Sequence, residues 1–259
     1  MTLPLKNKSI VLTRSQEQSS SLHKLLEKAG AHVLDLPLIQ ISADYDTQTL
    51  QDVFTDIALY EWIIFTSQNG VRYFFDVFFK RFKDIRCLGP MRIACVGEAT
   101  AKALKHFHLE VDFCPPDATA KNLASELIKE QSLDNTKVLV VCGNLNGRNL
   151  NTILEKEGRA IVDTLQVYKT EHRDISQDAA TASFREQGAD AILFTSPSTV
   201  HSFYAQAKHL QTAKGAKTPL AGSMGPSTSE ALKTYGIQPS FEAEPRTIEG
   251  FVDSLIQKL

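Results

Sequence analysis

The feature that most constrains this chain is that it repeats itself. Ala94–Leu104 (ACVGEATAKAL) reads as a short apolar strand that turns at Gly97 into a helix, with Thr100 in the helix's first turn. Ala221–Leu232 (AGSMGPSTSEAL) has the same layout: Gly97 matches Gly225, Thr100 matches Thr228 and Leu104 matches Leu232, each pair 128 positions apart (225−97, 228−100, 232−104). The same shift places Lys137–Val141 (KVLVV) under Ser9–Thr13 (SIVLT), Leu154-Glu155-Lys156 under Leu26-Glu27-Lys28, and Gly158 under Gly30. A shift of 129 places Phe194-Thr195-Ser196 on Phe65-Thr66-Ser67. Three blocks in one order at nearly one offset mark an internal duplication. A period of about half the chain is too long for a solenoid, so it implies two similar domains.

Length and composition agree. At 259 residues the chain has room for two domains of ordinary size. Hydrophobic residues at 42% and charged residues at 22% suit a globular protein with a core in each half. A formal net charge of −2 argues against general binding to nucleic acid or to an anionic membrane surface. No apolar run approaches the ~20 residues of a membrane helix. The start, MTLPLKNKSIVLTR, runs straight into a strand without a signal-type apolar region. Cys87, Cys95, Cys114 and Cys142 show no C-x-x-C spacing and are too sparse for a disulfide framework, so a reducing cytoplasm is expected.

Along the chain, short apolar runs alternate with segments of helical period. Ile10–Thr13, the helix through Leu22, Leu25, Leu26 and Ala29, and Val33–Leu36 form one β-α-β unit, closed by Pro37. Further strands are expected at Trp62–Phe65, Ile93–Val96, Glu110–Phe113, Val138–Val141, Ala160–Leu165, Ala191–Phe194 and Leu220–Met224, with a short one near Gln238–Phe241. The helices between them include the aromatic series Tyr73, Phe74, Phe75, Phe78, Phe79 and Phe82, which reads as a packed helix face. The fold class is therefore α/β, with parallel sheets covered by helices on both faces. Two extended pieces, Leu38–Ile41 and Gln166–Thr170, occupy equivalent places in the repeats and are the candidates for crossings between domains.

Each half offers two polar loops at the carboxyl end of a strand. They are Thr66-Ser67-Gln68-Asn69-Gly70 with Gly97-Glu98-Ala99-Thr100, and Thr195-Ser196-Pro197-Ser198 with Gly225-Pro226-Ser227-Thr228. Ligands bind at that edge of open α/β sheets, where helix N-termini present unpaired N–H groups. The same serines and threonines are also what helix N-caps require, and the two readings stand side by side. No phosphate loop, dinucleotide fingerprint, zinc-protease motif or hydrolase elbow occurs. His106-Phe107-His108 reads as a solvated helix end. Arg14, Arg72, Arg148, Lys169, Arg173 and Arg246 read as surface charges, and Tyr168 as a structural phenol on a crossing strand.

Taken together, VLTR (Val11–Arg14), FTSQNGV (Phe65–Val71), VGEATAKAL (Val96–Leu104), the G-x-x-x-G-R-x-L run (Gly143–Leu150) leading to Val167-Tyr168, FTSPSTV (Phe194–Val200) and MGPSTSEAL (Met224–Leu232) resemble uroporphyrinogen-III synthases. The resemblance runs from Ile10 to the C-terminus. Gln68 and Ser15 stand where members often carry Pro. Cys142 stands where an Arg commonly precedes the glycine turn, which removes a cation that could meet the substrate.

The resemblance implies two flavodoxin-like domains joined by a two-stranded connector: residues 1–37 with 173–259, an inserted domain at 43–163, and connector strands at 38–42 and 164–172. It implies dehydrative cyclisation of hydroxymethylbilane to uroporphyrinogen III, with inversion of the last ring, by a cytoplasmic monomer that needs no cofactor and no metal. Tyr168 would be the catalytic residue, since a phenol of pKa ~10 keeps its proton at neutral pH and can donate it to the departing hydroxyl. Substrate binding would fall to Arg14, Ser67, Gln68, Asn69, Gly97, Thr100 and Arg148, and in the other half to Ser196, Pro197, Gly225, Ser227 and Thr228. The substrate's eight carboxylates suit hydroxyls, amides and a few arginines. The competing readings are a two-domain protein that clamps an anionic small molecule in an interdomain cleft without chemistry, and a glycosyl- or phosphoryl-transferring α/β enzyme, which no acidic metal-binding pair favours.

Overall fold

The computed structural model describes residues 3–14, 16–117, 119–145 and 149–259. Ser15, Gly147 and Arg148 lie outside the described residues. The chain divides into two compact units, Met1–Gln40 with Glu171–Leu259, and Ile41–Thr170. In chain order the first unit opens with β1 (Ser9–Leu12), α1 (Gln16–Lys28) and β2 (His32–Asp35). The chain crosses within β3 (Ile39–Ala43) into α2 (Thr47–Thr55), β4 (Trp62–Phe65), α3 (Gln68–Arg81), β5 (Arg92–Cys95), α4 (Glu98–Lys105), α5 (Ala120–Glu130), β6 (Lys137–Gly143) and α6 (Asn149–Lys156). It crosses back within β7 (Ile161–His172). The first unit is completed by α7 (Ala179–Gln187), β8 (Ala191–Phe194), α8 (Pro197–Ala205), α9 (Ala207–Leu210), β9 (Leu220–Ser223), α10 (Pro226–Thr234), β10 (Phe241–Glu242) and α11 (Ile248–Lys258).

One sheet runs β10-β9-β8-β1-β2 and the other β3-β7-β6-β4-β5. The first has the strand order of doubly wound flavodoxin-like sheets. The fold is thus α/β with two mainly parallel sheets. The duplication is visible strand by strand: β2-β1-β8-β9 corresponds to β7-β6-β4-β5, in the same spatial order. Even the outermost pairing is shared. Phe241 pairs Gly222 beside β9, and Phe113 makes an isolated bridge to Ala94 beside β5, each residue 128 positions earlier (241−113, 222−94).

Both faces of each sheet are covered, so the central strands β1, β4, β6 and β8 are almost wholly apolar and buried, and their side chains alternate between two cores. In β1, Ile10 and Leu12 enter one cluster and Val11 the other. In β6, Leu139 and Val141 face one cluster and Val138 and Val140 the other. Phe74, Phe75 and Phe78 of α3 are buried against β4, and edge-to-face contacts such as Phe54–Phe74, at 6.0 Å between centroids, knit that core.

Four segments take a form in the sheets that the sequence-based reading did not specify. Ala160–Leu165 and Gln166–Thr170 are one continuous strand, β7. Leu38–Ile41 continues as β3 and joins the second sheet next to β7. The strand expected at Glu110–Phe113 shortens to the single bridge at Phe113, because Cys114 is followed by Pro115-Pro116, which have no N–H to continue a ladder.

Candidate active site

Tyr168 owes its position to a slip in the pairing of β6 with β7. The register runs from Lys137↔Ile161 to Cys142↔Gln166 and then jumps to Gly143↔Tyr168, skipping one residue of β7. Leu165 and Val167 are buried in one core cluster, as strict alternation requires, and Tyr168, next in line, packs against that same cluster. A bulge re-aims side chains in this way, and such irregularities recur beside active sites. The Tyr168 ring lies on Gly143, where an added Cβ would come within 2.4 Å of Cζ. Tyr73 of α3 stacks on it at 5.8 Å between centroids and 20° between planes. Tyr73 is fixed in turn by donating its hydroxyl to the Ile41 carbonyl at 3.0 Å. Asn144 braces the end of β7: its side chain accepts from the Thr170 N–H at 2.9 Å and donates to the Thr170 carbonyl at 3.2 Å.

The Tyr168 hydroxyl meets Ser67. Ser67 follows β4 with extended dihedrals (φ −163°) and caps α3, accepting the Gly70 N–H at 3.0 Å. Its Oγ is also 3.0 Å from the Tyr168 hydroxyl, and either group can donate. The cap and ligand readings of Ser67 therefore both apply, because one oxygen serves the helix end while its proton and remaining lone pair face the phenol. Gln68 is exposed and Asn69 half-buried on the first turn of α3.

The second turn of this unit lies at Gly97, whose φ of +82° is one that L side chains rarely adopt. Gly97 caps α4 with its backbone alone. Thr100 is buried, and its hydroxyl donates to the Val96 carbonyl at 2.8 Å, so its single proton is engaged within its own turn. Beside this turn, burial pushes the Cys95 thiol up to about 12, and the neighbouring Cys114 adds to the shift.

The first unit repeats the arrangement with altered chemistry. Ser196 is the N-cap of α8 but makes no cap bond; its hydroxyl pairs with Ser198 at 2.9 Å. Pro197 opens the helix at a position where a missing N–H costs nothing. Gly225 caps α10 in an extended conformation (φ 178°), followed by exposed Pro226 and Ser227, while Thr228 is buried. Arg14, half-buried, follows Thr13, whose hydroxyl donates to the Leu193 carbonyl at 2.8 Å. Arg148 belongs to the undescribed segment.

The structure thus brings Tyr168 onto Ser67 within one unit, and sets Gln68, Asn69 and the Gly97 turn at the carboxyl ends of neighbouring strands β4 and β5. Ser196, Pro197, Gly225, Ser227 and Thr228 occupy the corresponding edge of β8 and β9 in the other unit. Sequence reasoning placed Tyr73 only on a packed helix face, and did not single out Asn144 or the close fit of Tyr168 on Gly143. Among the described residues no three His, Cys, Asp or Glu side chains stand close enough to hold a metal ion. No helix of the described residues is long and apolar enough to cross a membrane.

Comparisons with known proteins agree with one another. The family model of uroporphyrinogen-III synthase HemD matches residues 20–253. The porphyrin biosynthesis protein HemD of Ruminiclostridium josui is 31% identical over 99% of this chain, and the match spans 50% of that protein's length. The uroporphyrinogen-III synthase of Synechococcus elongatus is 28% identical, with 98% of this chain and 96% of that one covered. Among solved structures, a mutant uroporphyrinogen III synthase from Thermus thermophilus shares the fold at a TM-score of 0.65 and 18% identity, covering 97% of this chain and 98% of that one. The enzyme from Helicobacter pylori does so at 0.63 and 18%, covering 96% and 99%. The chain belongs to the uroporphyrinogen-III synthase family, the cyclising lyases of tetrapyrrole biosynthesis.

Proposed function

We propose that this chain converts hydroxymethylbilane into uroporphyrinogen III: it removes the terminal hydroxyl as water and closes the macrocycle with the last ring inverted. The observation that carries the reading is the Ser67–Tyr168 pair, held at 3.0 Å at the carboxyl edge of a parallel sheet. Ser67 Oγ already accepts the Gly70 N–H. With Ser67 donating to the phenol oxygen, Tyr168 can give its own proton to the substrate's departing hydroxyl. The C–O bond then breaks with water as the leaving group, and Ser67 stabilises the phenolate that forms. The reverse polarity, with Tyr168 donating to Ser67, would hold the site closed to proton donation until substrate arrives.

The substrate's carboxylates would meet the N–H groups at the starts of α3, α4, α8 and α10, each a helix end with partial positive charge. Gln68, Asn69, Gly97 and Thr100 in one unit belong to this binding role, with Arg14, Ser196, Pro197, Gly225, Ser227 and Thr228 in the other. Thr100 would act chiefly by shaping its turn, since its proton is engaged at Val96. Arg148 retains the role that the family resemblance gives it. A hydroxymethyl-pyrrole ionises readily and closes unaided to the uninverted ring. The protein's task is therefore to fix which carbon attacks, which is a matter of orientation more than of acid strength. The reading includes residues 38–42 and 164–172 as the connector between domains at 1–37 with 173–259 and 43–163, and a monomer working in the cytoplasm.

The test is to incubate the purified chain with freshly generated hydroxymethylbilane, oxidise the products to porphyrins and resolve the isomers. Isomer III forming faster than spontaneous isomer I supports the proposal. Isomer I alone, at the rate seen without protein, favours a binding protein without catalysis.

A further inference from the structure

We propose that Cys95 and Cys114 are a thiol–disulfide site, closing to a reversible disulfide that ties the end of β5 to the segment after Phe113. Nothing in the sequence spacing suggests the pair, since 18 residues separate the two cysteines. The fold brings them together. Phe113 bridges Ala94 in parallel, with the Phe113 N–H donating to the Ile93 carbonyl at 3.2 Å and the Cys95 N–H to the Phe113 carbonyl at 3.0 Å. Continuing that register by one residue sets Cys114 opposite Cys95.

The duplication supplies an independent view of the same place. Cys95 and Cys114 correspond to Ser223 and Glu242 (223−95 and 242−114 are both 128), and Glu242 is registered opposite Ser223 in the other sheet. There the two side chains are tied by hydrogen bonds: Ser223 meets Ser229 at 2.7 Å, and Ser229 donates to Glu242. The residue equivalent to Ser229 is Ala101, which has nothing to bridge with. The tie that one unit makes with hydroxyls and a carboxylate is thus replaced in the other by two thiols.

Adjacent strands run ~4.8 Å apart, and a disulfide needs its Cα atoms between about 4.4 and 6.8 Å, so residues paired across strands fall within range. Beyond the burial that is the larger cause, Cys114 is near enough to help push the Cys95 thiol pKa upward, while the Cys95 thiol donates to the Gly97 carbonyl at 3.7 Å. Cys114 is exposed and Cys95 buried, which sets the order of events. With oxidised glutathione, the Cys114 thiolate attacks one sulfur of the small disulfide and releases one glutathione thiolate. Cys95 then gives up its proton, its sulfur attacks the Cys114 sulfur of the mixed disulfide, and the second glutathione thiolate leaves. The protein loses two hydrogens and the small disulfide gains them. Because Cys95 is buried and holds its proton tightly, the second step is the slow one and the mixed disulfide accumulates first.

The experiment uses the full chain carrying Cys87→Ser, which removes the other exposed thiol. The protein is equilibrated overnight in oxidised glutathione, alkylated, digested and mapped by mass. The expected result is a transient Cys114–glutathione adduct, then a linked peptide pair containing Cys95 and Cys114. Dithiothreitol should reverse the link, and it should be lost in Cys95→Ala, a variant that keeps the exposed thiol and so still forms the adduct. Backbone hydrogen exchange at Gly97–Thr100 should slow in the linked form. An adduct that persists at equilibrium without the linked peptide would overturn the proposal, as would a link that pairs Cys114 with Cys142.

Discussion

Gly143→Ala tests the placement of Tyr168 most sharply. The new Cβ would sit 2.4 Å from Cζ and 2.5 Å from Cε2 of the tyrosine ring, where ordinary contact begins near ~3.5 Å. The ring would have to retreat by about 1 Å. Tyr73 is stacked on it and anchored to the Ile41 carbonyl, so the movement breaks packing rather than filling space. The 3.0 Å contact to Ser67 would open to about 4 Å, beyond hydrogen-bonding range. Overpacking of this kind costs about 1–3 kcal/mol of stability. A catalytic group displaced by about 1 Å loses up to ~10²-fold in rate.

The assay is the rate of isomer III formation together with the thermal midpoint by circular dichroism. Combination with Tyr168 variants separates the two effects. In a Tyr168→Phe background, which keeps the ring and lacks the hydroxyl, Gly143→Ala should still destabilise but cost little further rate. In a Tyr168→Ala background the destabilisation should vanish. Full rate and stability for Gly143→Ala, or a rate loss that multiplies undiminished with that of Tyr168→Phe, would refute the placement.

Two further predictions concern groups whose bonds are already made in the fold. Thr100→Ala removes the hydroxyl that donates to the Val96 carbonyl, so it should lower stability by about 1–2 kcal/mol, while the rate of folded protein changes less than ~10-fold. A folded variant with no activity would mean that this hydroxyl touches the reacting atoms. Asp190 has its carboxyl held below the usual range: burial works the other way, and is outweighed by the Ser9 N–H at 2.8 Å and by Lys217 and Lys8. A depressed folded-state value means stability that is present above the unfolded pKa of ~3.9 and lost as pH falls through the lower folded value. Asp190→Asn should therefore cost about 1–2 kcal/mol at pH 7, and the gap to the native chain in urea midpoint should close as pH drops below ~4. A gap that is constant from pH 7 to pH 3 would contradict the assignment.

The duplication made the architecture legible because it fixes which strands correspond. Once Ser9–Thr13 lies over Lys137–Val141, the order around β1 repeats around β6. The glycine turns and the serine at the start of α3 were legible for a local reason: caps and turns depend on residues a few positions apart. Tyr168 was visible as an anomaly, a phenol where a core residue is expected, but its partner Ser67 is 101 residues away. The slip at Cys142/Gly143 that joins them leaves no mark in either strand's own pattern, since alternation continues through Leu165 and Val167. Thr100 shows the opposite limit. A threonine in the first turn of a helix can cap it, bond back to its own turn or meet an anion, and only the packed structure selects the bond to Val96. The unit-to-unit exchange of Ser223 and Glu242 for Cys95 and Cys114 became informative only when the paired registers were known.

The central claim is that the fold of the site decides which carbon attacks, with Tyr168 assisting departure of the hydroxyl. The measurement that tests it is the ratio of isomer III to isomer I made by Tyr168→Phe and by the native chain, with spontaneous closure subtracted. One well-placed general acid contributes about 10²–10⁴-fold, and an easily departing hydroxyl places this one near the lower figure. The account predicts that Tyr168→Phe is slower by about 10²-fold or less, while its enzymatic product remains isomer III. A folded Tyr168→Phe protein whose product is the uninverted isomer I would show that a single side chain dictates the outcome, and would contradict the account.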